Sequence, residues 1–334
     1  MTAQIAFLST AHIHTESFIE AFSGDGLDAE VAAIWDDTPP RGRKYAESCG
    51  ARFVDDLNAL VADDAIDGWV ICDANTRHLP LLEKALPTGK PVFCEKPLVT
   101  SVADARRVAA LLREHGTALC CGYFQPFFAA NRAVKRAIDD GAFGQVTHAF
   151  FRNSHHAAYG RWFDSADLGW FVRPELSGGG ALMDMGAHAV HLLCHLCGPV
   201  RDVWATTANV SGAYPAVDDY GTMQLTFASG AVGRAEASWV QHSSNSGLEI
   251  WGTDAALVFV EGRPAVVSQG GKPRRLPDAE ARPDRMARLV AMIEGRLDPQ
   301  EMADDLAACL DEVAIMSAAY ASAASDRREV VDVL

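Results

Sequence analysis

The first 120 residues alternate short, almost wholly apolar runs with longer amphipathic stretches. Residues 4–8 (QIAFL) run apolar into a turn of small residues, and an amphipathic stretch follows over 15–22. A second run, 30–35, stops at Asp36-Asp37 ahead of Pro39-Pro40 and a helical stretch over 41–49. The alternation continues through 68–72, 79–86 and 91–94. Ser101, with Asp104 three residues on, reads as the cap of a helix reaching about residue 114, and 118–121 is one more buried run. Apolar runs this short are strands covered on both faces, and the amphipathic stretches are the crossovers between them. The pattern predicts an α/β Rossmann domain, a parallel sheet with helices on both sides, over residues 1–122.

From residue 145 the period changes. Segments 146–152, 200–209, 220–227, 232–240 and 247–251 are strand-like, with a hairpin turn at Ala228-Ser229-Gly230, and helices are expected over 283–294 and 299–323. This predicts an α+β domain with a mostly antiparallel sheet over 123–334, the C-terminal helices included.

Composition narrows the partners. A formal charge of −15 repels a nucleic-acid backbone or an anionic membrane, so a small molecule is the expected ligand. No run of eighteen apolar residues is evident and the first eight residues lack a signal-peptide pattern, which predicts a cytoplasmic protein. Eight cysteines form neither a paired C-x-x-C framework nor a secreted disulfide pattern. Cys194 and Cys197 make a lone C-x-x-C inside an apolar helix, where a thiolate gains no helix-start stabilisation, so all eight read as reduced thiols.

Three positions carry candidate chemistry. The turn after the first strand reads Ser9-Thr10-Ala11-His12-Ile13-His14, without the glycines of a dinucleotide fingerprint, although small residues at 9 and 11 permit a tight turn and the next helix start offers free amides to phosphate. Asp36 ends the second strand, where a carboxylate accepts ribose hydroxyls and repels a 2′-phosphate; this favours NAD, with Arg41 leaving NADP open. Lys96 follows the run 92–94, at the carboxyl edge where such sheets bind ligands, and an ammonium there stabilises a reacting oxygen.

Cys72-Asp-Ala-Asn75-Thr-Arg-His78, then Gly89 to Leu98 with Glu95-Lys96-Pro97 inside it, then Gly178-Gly-Gly-Ala-Leu-Met-Asp184-Met-Gly186-Ala-His188, closely resembles the Gfo/Idh/MocA oxidoreductases. The likeness continues through Leu248-Glu-Ile-Trp-Gly252 and Asp326-Arg-Arg328. It implies a second domain built on a large open-faced sheet, an NAD cofactor between the domains, and oxidation or reduction of a ring carbinol in a sugar, glycoside or cyclic polyol.

Residue by residue, the resemblance makes Lys96 the orienter of the substrate oxygen and His188 the acid/base. Asp184, four residues earlier and on the same helical face, would hold the imidazole or join the proton network. The cofactor positions are Ser9, Thr10, Ala11, His12, Ile13, Asp36, Arg41, Cys72, Asp73, Asn75, His78, Glu95 and Lys96. The substrate positions are Lys96, Tyr123, Asn153, His155, Trp162, Trp170, Asp184 and His188. The family likeness also points to a homodimer or homotetramer formed through the sheet.

Two departures stand out: His12 and His14 in the first turn, and His191 where many relatives carry Asp. Asp184, His188, His191 and His195 share a helical stripe about 16 Å long, too long for one ion to reach all four, and no metal is expected. Two rival functions stay open. One is a redox-neutral NAD-using glycosidase or lyase, and the other a non-catalytic nucleotide or sugar sensor.

Overall fold

The computed structural model describes residues 2–24, 26–242 and 247–332, so the extreme ends of the two expected domains, Met1 and 333–334, lie outside the described residues. The first domain carries β1 (Ala3–Leu8), α1 (Thr15–Glu20), β2 (Ala29–Trp35), α2 (Pro39–Cys49), β3 (Arg52–Phe53), α3 (Leu57–Val61), β4 (Gly68–Ile71), α4 (His78–Ala85), β5 (Val92–Cys94), α5 (Val102–His115) and β6 (Leu119–Cys121). Its six strands are all parallel, in the order β3-β2-β1-β4-β5-β6.

The period of two decides the layers. Ala6 and Leu8 of β1 face a core completed by Leu81, Leu82, Val108 and Leu111 of α4 and α5, while Ile5 and Phe7 face Phe18 and Ile19 of α1 on the other side. The expected cap forms: Ser101 accepts the amide of Asp104, and α5 ends at Gly116 in the left-handed region (φ 66°).

The second domain carries α6 (Ala129–Asp139), β7 (Val146–Ser154), α7 (Pro174–Ser177), α8 (Ala187–Cys197), β8 (Val200–Ala208), β9 (Tyr220–Phe227), β10 (Val232–Ser238), β11 (Gly247–Gly252), β12 (Ala255–Val260), β13 (Arg263–Ser268), β14 (Arg274–Arg275), α9 (Arg285–Ile293), α10 (Pro299–Ser325) and β15 (Glu329–Val330). The sheet order is β14-β13-β12-β11-β7-β10-β9-β8-β15, antiparallel except for the central β7–β10 pair. Gly233, Ala235 and Ala237 of β10 are buried while Val232 and Arg234 between them are exposed. One face of the sheet packs on α8 and α10, through Leu192, Leu193, Ile315 and Ala319.

Two expectations change. Chain position puts α9 in the second domain, but Met286, Leu289 and Val290 complete the core of the first sheet with Ile5, Phe7 and Phe93. An amphipathic helix buries its apolar stripe wherever a matching face is open, and the bare face beside β5 and β6 supplies one. Also, α10 is long and apolar enough to span a membrane by length and composition. It lies instead between the two sheets, with Cys309 and Val313 in one core and Ile315 and Ala319 in the other.

Candidate active site

The turn after β5 is built around a carboxylate with no exposure to solvent. Glu95 Oε2 accepts the backbone N–H of Lys96 (2.6 Å) and Oε1 pairs with His14 Nδ1 (2.7 Å), which fixes where the lysine leaves the sheet. Gly122 makes room for this: a Cβ there would lie 2.5 Å from Glu95 Oε2 and 2.9 Å from Lys96 N. Burial opposes the charge on Glu95, but His12, His14 and Lys96 outweigh it and hold the carboxyl well below its usual range.

Lys96 then crosses to the second domain. Its Nζ donates to Asp184 Oδ1 (2.6 Å), while Asp184 Oδ2 accepts Trp239 Nε1–H (2.9 Å) and lies 3.7 Å from His155 Nε2. Burial disfavours both charges, yet each raises or lowers the other decisively: the Asp184 carboxylate holds the ammonium above its ordinary value, and the ammonium holds the carboxyl well below. With the lysine 3% and the aspartate side chain 13% exposed, this is a buried, pre-formed ion pair.

Asp184 does not hold the imidazole of His188. Residues Leu182–Gly186 form a single π-helical turn before α8, wider than the 3.6-residue turn assumed from spacing, and the carboxylate oxygens go to Lys96 and Trp239. His188 instead packs against the edge of Tyr123 (ring centroids 5.6 Å apart, 88°) and against Phe124. Burial first, then the Lys96 charge, holds it well below the usual histidine range, so it is neutral near pH 7; its Nδ1 is buried without a partner.

The cofactor positions divide. Ser9 takes the left-handed conformation (φ 73°) that glycine supplies in the usual fingerprint, so the turn keeps its shape without the sequence. Thr10 donates its amide and hydroxyl to Asp36, and Ile13 is exposed at the surface of the turn. The carbonyl of Ala11 accepts Trp170 Nε1–H, and His12 packs against the stacked rings of Trp170 and Phe171. Asp73 accepts the Ala74 amide and is pushed up to about 6 by burial, and Asn75 bonds the carbonyl of Ser177 across the domain boundary.

Two of these residues do not present a side chain to a cofactor, and a third, Asp36, is already engaged. His78 is fully buried, donating to the carbonyl of Pro97 (2.9 Å), and so ties α4 to the turn after Lys96. Cys72 is also sealed, and only its carbonyl reaches the turn, accepting the His12 amide. Asp36 has its two oxygens occupied by Thr10, by the Thr38 amide and by both Nε and Nη2 of Arg41 (3.0 and 2.6 Å), so a ribose reaches it only when Arg41 lets go.

A prediction follows for this pair. Asp36→Ala removes the repulsive charge and leaves Arg41 available to a phosphate, so the preference for NAD over NADP in kcat/KM falls by about 10- to 100-fold, the range of one charge-assisted hydrogen bond. An unchanged ratio would show that another group selects the cofactor.

Of the substrate positions, Asn153 bonds the Met185 carbonyl (3.2 Å), and Trp162 packs on His155 (4.8 Å) close to Asp184. Tyr123 is buried against His188 and stacks on His191 (4.1 Å, 9°). Trp170 belongs to the cofactor turn instead, because its indole N–H is spent on Ala11. Sequence reasoning missed Trp239 and the His14–Glu95 pair. The only signal for Trp239 is a tryptophan at the end of a predicted strand; the pair joins residues 81 apart, which no local pattern links.

A parallel sheet open at its carboxyl edge, with a buried lysine–carboxylate pair and a neutral histidine beside it, defines an α/β enzyme of dehydrogenase type. Residues 6–123 match the model of the oxidoreductase family with an NAD-binding Rossmann fold, and residues 131–258 match the Gfo/Idh/MocA C-terminal domain. The chain belongs to the Gfo/Idh/MocA oxidoreductases.

It is 27% identical over 232 residues to a 1,5-anhydro-D-fructose reductase from Ensifer adhaerens, covering 69% of this chain and 68% of that one. With inositol 2-dehydrogenase 1 from Saccharopolyspora erythraea it shares 30% over 159 residues, 46% of this chain and 47% of the other. The fold matches the WlbA dehydrogenase from Bordetella pertussis, crystallised with NADH and UDP-GlcNAcA, at a TM-score of 0.80 and 22% identity, covering 99% and 98% of the chains.

Proposed function

We propose that the protein is an NAD-dependent dehydrogenase or reductase acting on a ring carbinol of a neutral sugar, glycoside or cyclic polyol. The observation that carries this reading is the Lys96–Asp184 pair, locked by Glu95 and Trp239, beside a buried neutral His188. Lys96 holds the substrate oxygen and stabilises negative charge on it, and His188, uncharged, takes the hydroxyl proton. Asp184 keeps the lysine charged and aimed. Bound NAD supplies the hydride acceptor.

The residues suit that cofactor. Ser9 Oγ, Asn75 Oδ1 and His188 Nδ1 are buried without partners along the carboxyl edge of the sheet, where a bound nucleotide and substrate satisfy them. Asn153, His155 and Trp162 offer amide, imidazole and ring face to a polyhydroxylated ring. The nearby cations are already paired, Lys96 with Asp184 and Arg161 with Asp164, which favours an uncharged substrate. The names of the relatives, an anhydrofructose reductase and an inositol dehydrogenase, agree with a sugar or cyclic polyol.

We further read the protein as a cytoplasmic homodimer or homotetramer joined through the outer face of the large sheet, where Trp204, Val232 and Phe259 are exposed. Light scattering that gives the mass of one chain would remove that part of the reading. The activity itself is tested by absorbance at the reduced-nicotinamide band, with NAD and then NADP, against neutral sugars, glycosides and inositols. Growth with NAD on one of them is expected. A flat trace from protein that releases NAD on denaturation would replace the reading with a redox-neutral lyase, and a flat trace without NAD would replace it with a sensor.

A further inference from the structure

We propose that His191, Asp305 and Cys309 form a binding site for a zinc-type divalent cation that clamps α8 to α10 behind the active site. The proposal rests on side-chain geometry and does not depend on the dehydrogenase reading. His191 Nε2 lies 3.6 Å from Cys309 Sγ and 3.7 Å from Asp305 Oδ1, and the three donor atoms all fall within 4.8 Å of one another.

Zinc bonds of about 2.0–2.3 Å to nitrogen, oxygen and sulfur place tetrahedral neighbours roughly 3.3–3.6 Å apart, close to the two separations measured from His191. A nitrogen–oxygen distance of 3.7 Å is too long for a hydrogen bond. Within the group only the long, weak Cys309–His191 contact is a hydrogen bond, and Asp305 converges on the imidazole without one. The other histidine group, His12 and His14 with Glu95, differs in this respect, since the His14–Glu95 contact at 2.7 Å is already a good hydrogen bond.

Helix geometry explains the convergence. Asp305 and Cys309 are four residues apart on α10, so they share a face, and that face meets His191 on α8. A cavity of about 720 Å³ opens onto His191 and Asp305, giving an ion a way in and a water room to be the fourth ligand. Its wall carries Asp298, Glu301, Asp304 and Asp311 against Arg132, Lys135 and Arg282, so with Asp305 the acids outnumber the bases.

Local charge balances. With Cys309 as thiolate, the negative charges of Asp305, Cys309 and Glu301 offset a dication together with the buried Arg288, whose guanidinium sits 3.4 Å from both Asp305 Oδ2 and Glu301 Oε1. Arg288 thereby orients the outer oxygen of Asp305, as second-sphere partners of metal ligands do. On the far side, His191 stacks on Tyr123, which packs on His188, so an ion here also steadies the wall behind the histidine at the active site. A nitrogen donor beside a thiol suits zinc or cobalt.

The test uses the full-length protein, stripped with a chelator and titrated with Co²⁺. Expected are one equivalent bound per chain, visible bands of a tetrahedral ion and a sulfur-to-cobalt charge-transfer band, all erased by Zn²⁺. His191→Ala should weaken Co²⁺ binding at least 100-fold, and Cys309→Ser should abolish the charge-transfer band. Zn²⁺ should also slow alkylation of Cys309, mapped by mass spectrometry, in the unmutated protein, which decides the matter even where a variant fails to fold. Absence of the charge-transfer band in the unmutated protein, bands that persist in both variants, or protection of a different cysteine would each overturn the site and leave a plain S–H···N hydrogen bond between Cys309 and His191.

Discussion

Lys96→Met lowers kcat by on the order of 10³-fold while the KM for NAD stays within a few-fold of the parent. The magnitude combines the loss of a positioned cation at the developing oxyanion, about 10²–10³, with the smaller penalty of a substrate oxygen no longer aimed at His188. The side chain is 3% exposed and bonded to Asp184, so no solvent cation takes its place.

The substitution has a second consequence, on stability. It leaves Asp184 buried with only Trp239 and His155 to answer its charge, a situation that costs about 3–5 kcal/mol when one member of a buried pair is removed. Steady-state kinetics and a melting curve on the same sample separate the two effects. The double variant Lys96→Met with Asp184→Asn carries no orphaned carboxylate; it should recover most of the melting temperature and none of the activity. Activity within tenfold of the parent in either variant would remove Lys96 from the chemistry.

Ten strands of the two sheets were legible in the sequence, while β3 and β12 to β15 were not. All-buried β5 and the alternating β10 show why: burial on one face or two is written directly in the order of residues. The family resemblance, more than any local spacing, brought out Lys96, Asp184 and His188, and the fold joins Lys96 to Asp184 from 88 residues away.

What was not legible depends on partners distant in the chain. The π-helical turn at Leu182–Gly186 has no signature in residue type, so a regular helix leaves Asp184 open to hold the His188 imidazole or to join the proton network, and the partner that takes its second oxygen, Trp239, lies 55 residues away. His78 and Trp170 are residue types that suit ligands and packing equally, and only their neighbours settle the matter. The amphipathic stripe of α9 shows that one face is buried without showing which sheet buries it.

Stability in the presence of chelator should be greatest near pH 7 and should fall below about pH 6.5. His12, His78, His188 and His195 are all held below the ordinary histidine range, by burial first of all, with His12 near 3 and His195 near 4. In the unfolded chain each takes a proton as the pH drops through about 6.5, while in the folded chain it does not, so unfolding gains protons and is favoured by acid.

Buried acids oppose this. Burial raises Glu312 to about 8 and Asp73 and Asp305 to about 6, so in the folded state they keep protons that the unfolded chain releases down to about pH 4, and they favour folding as the pH falls. Around pH 5.5 the shifted histidines outweigh these acids, so unfolding takes up protons and stability falls as the pH drops. Above pH 7 the histidines contribute nothing; Glu312 lowers stability up to about pH 8, and the buried cysteines, whose thiols burial pushes up while those of the unfolded chain ionise, carry the decline on beyond it. Urea unfolding at half-unit steps from pH 5 to 8.5 measures the curve. A stability constant between pH 7 and 5 would mean that these histidines take up protons inside the folded protein, and His188 could then not be the neutral base that the proposed chemistry needs.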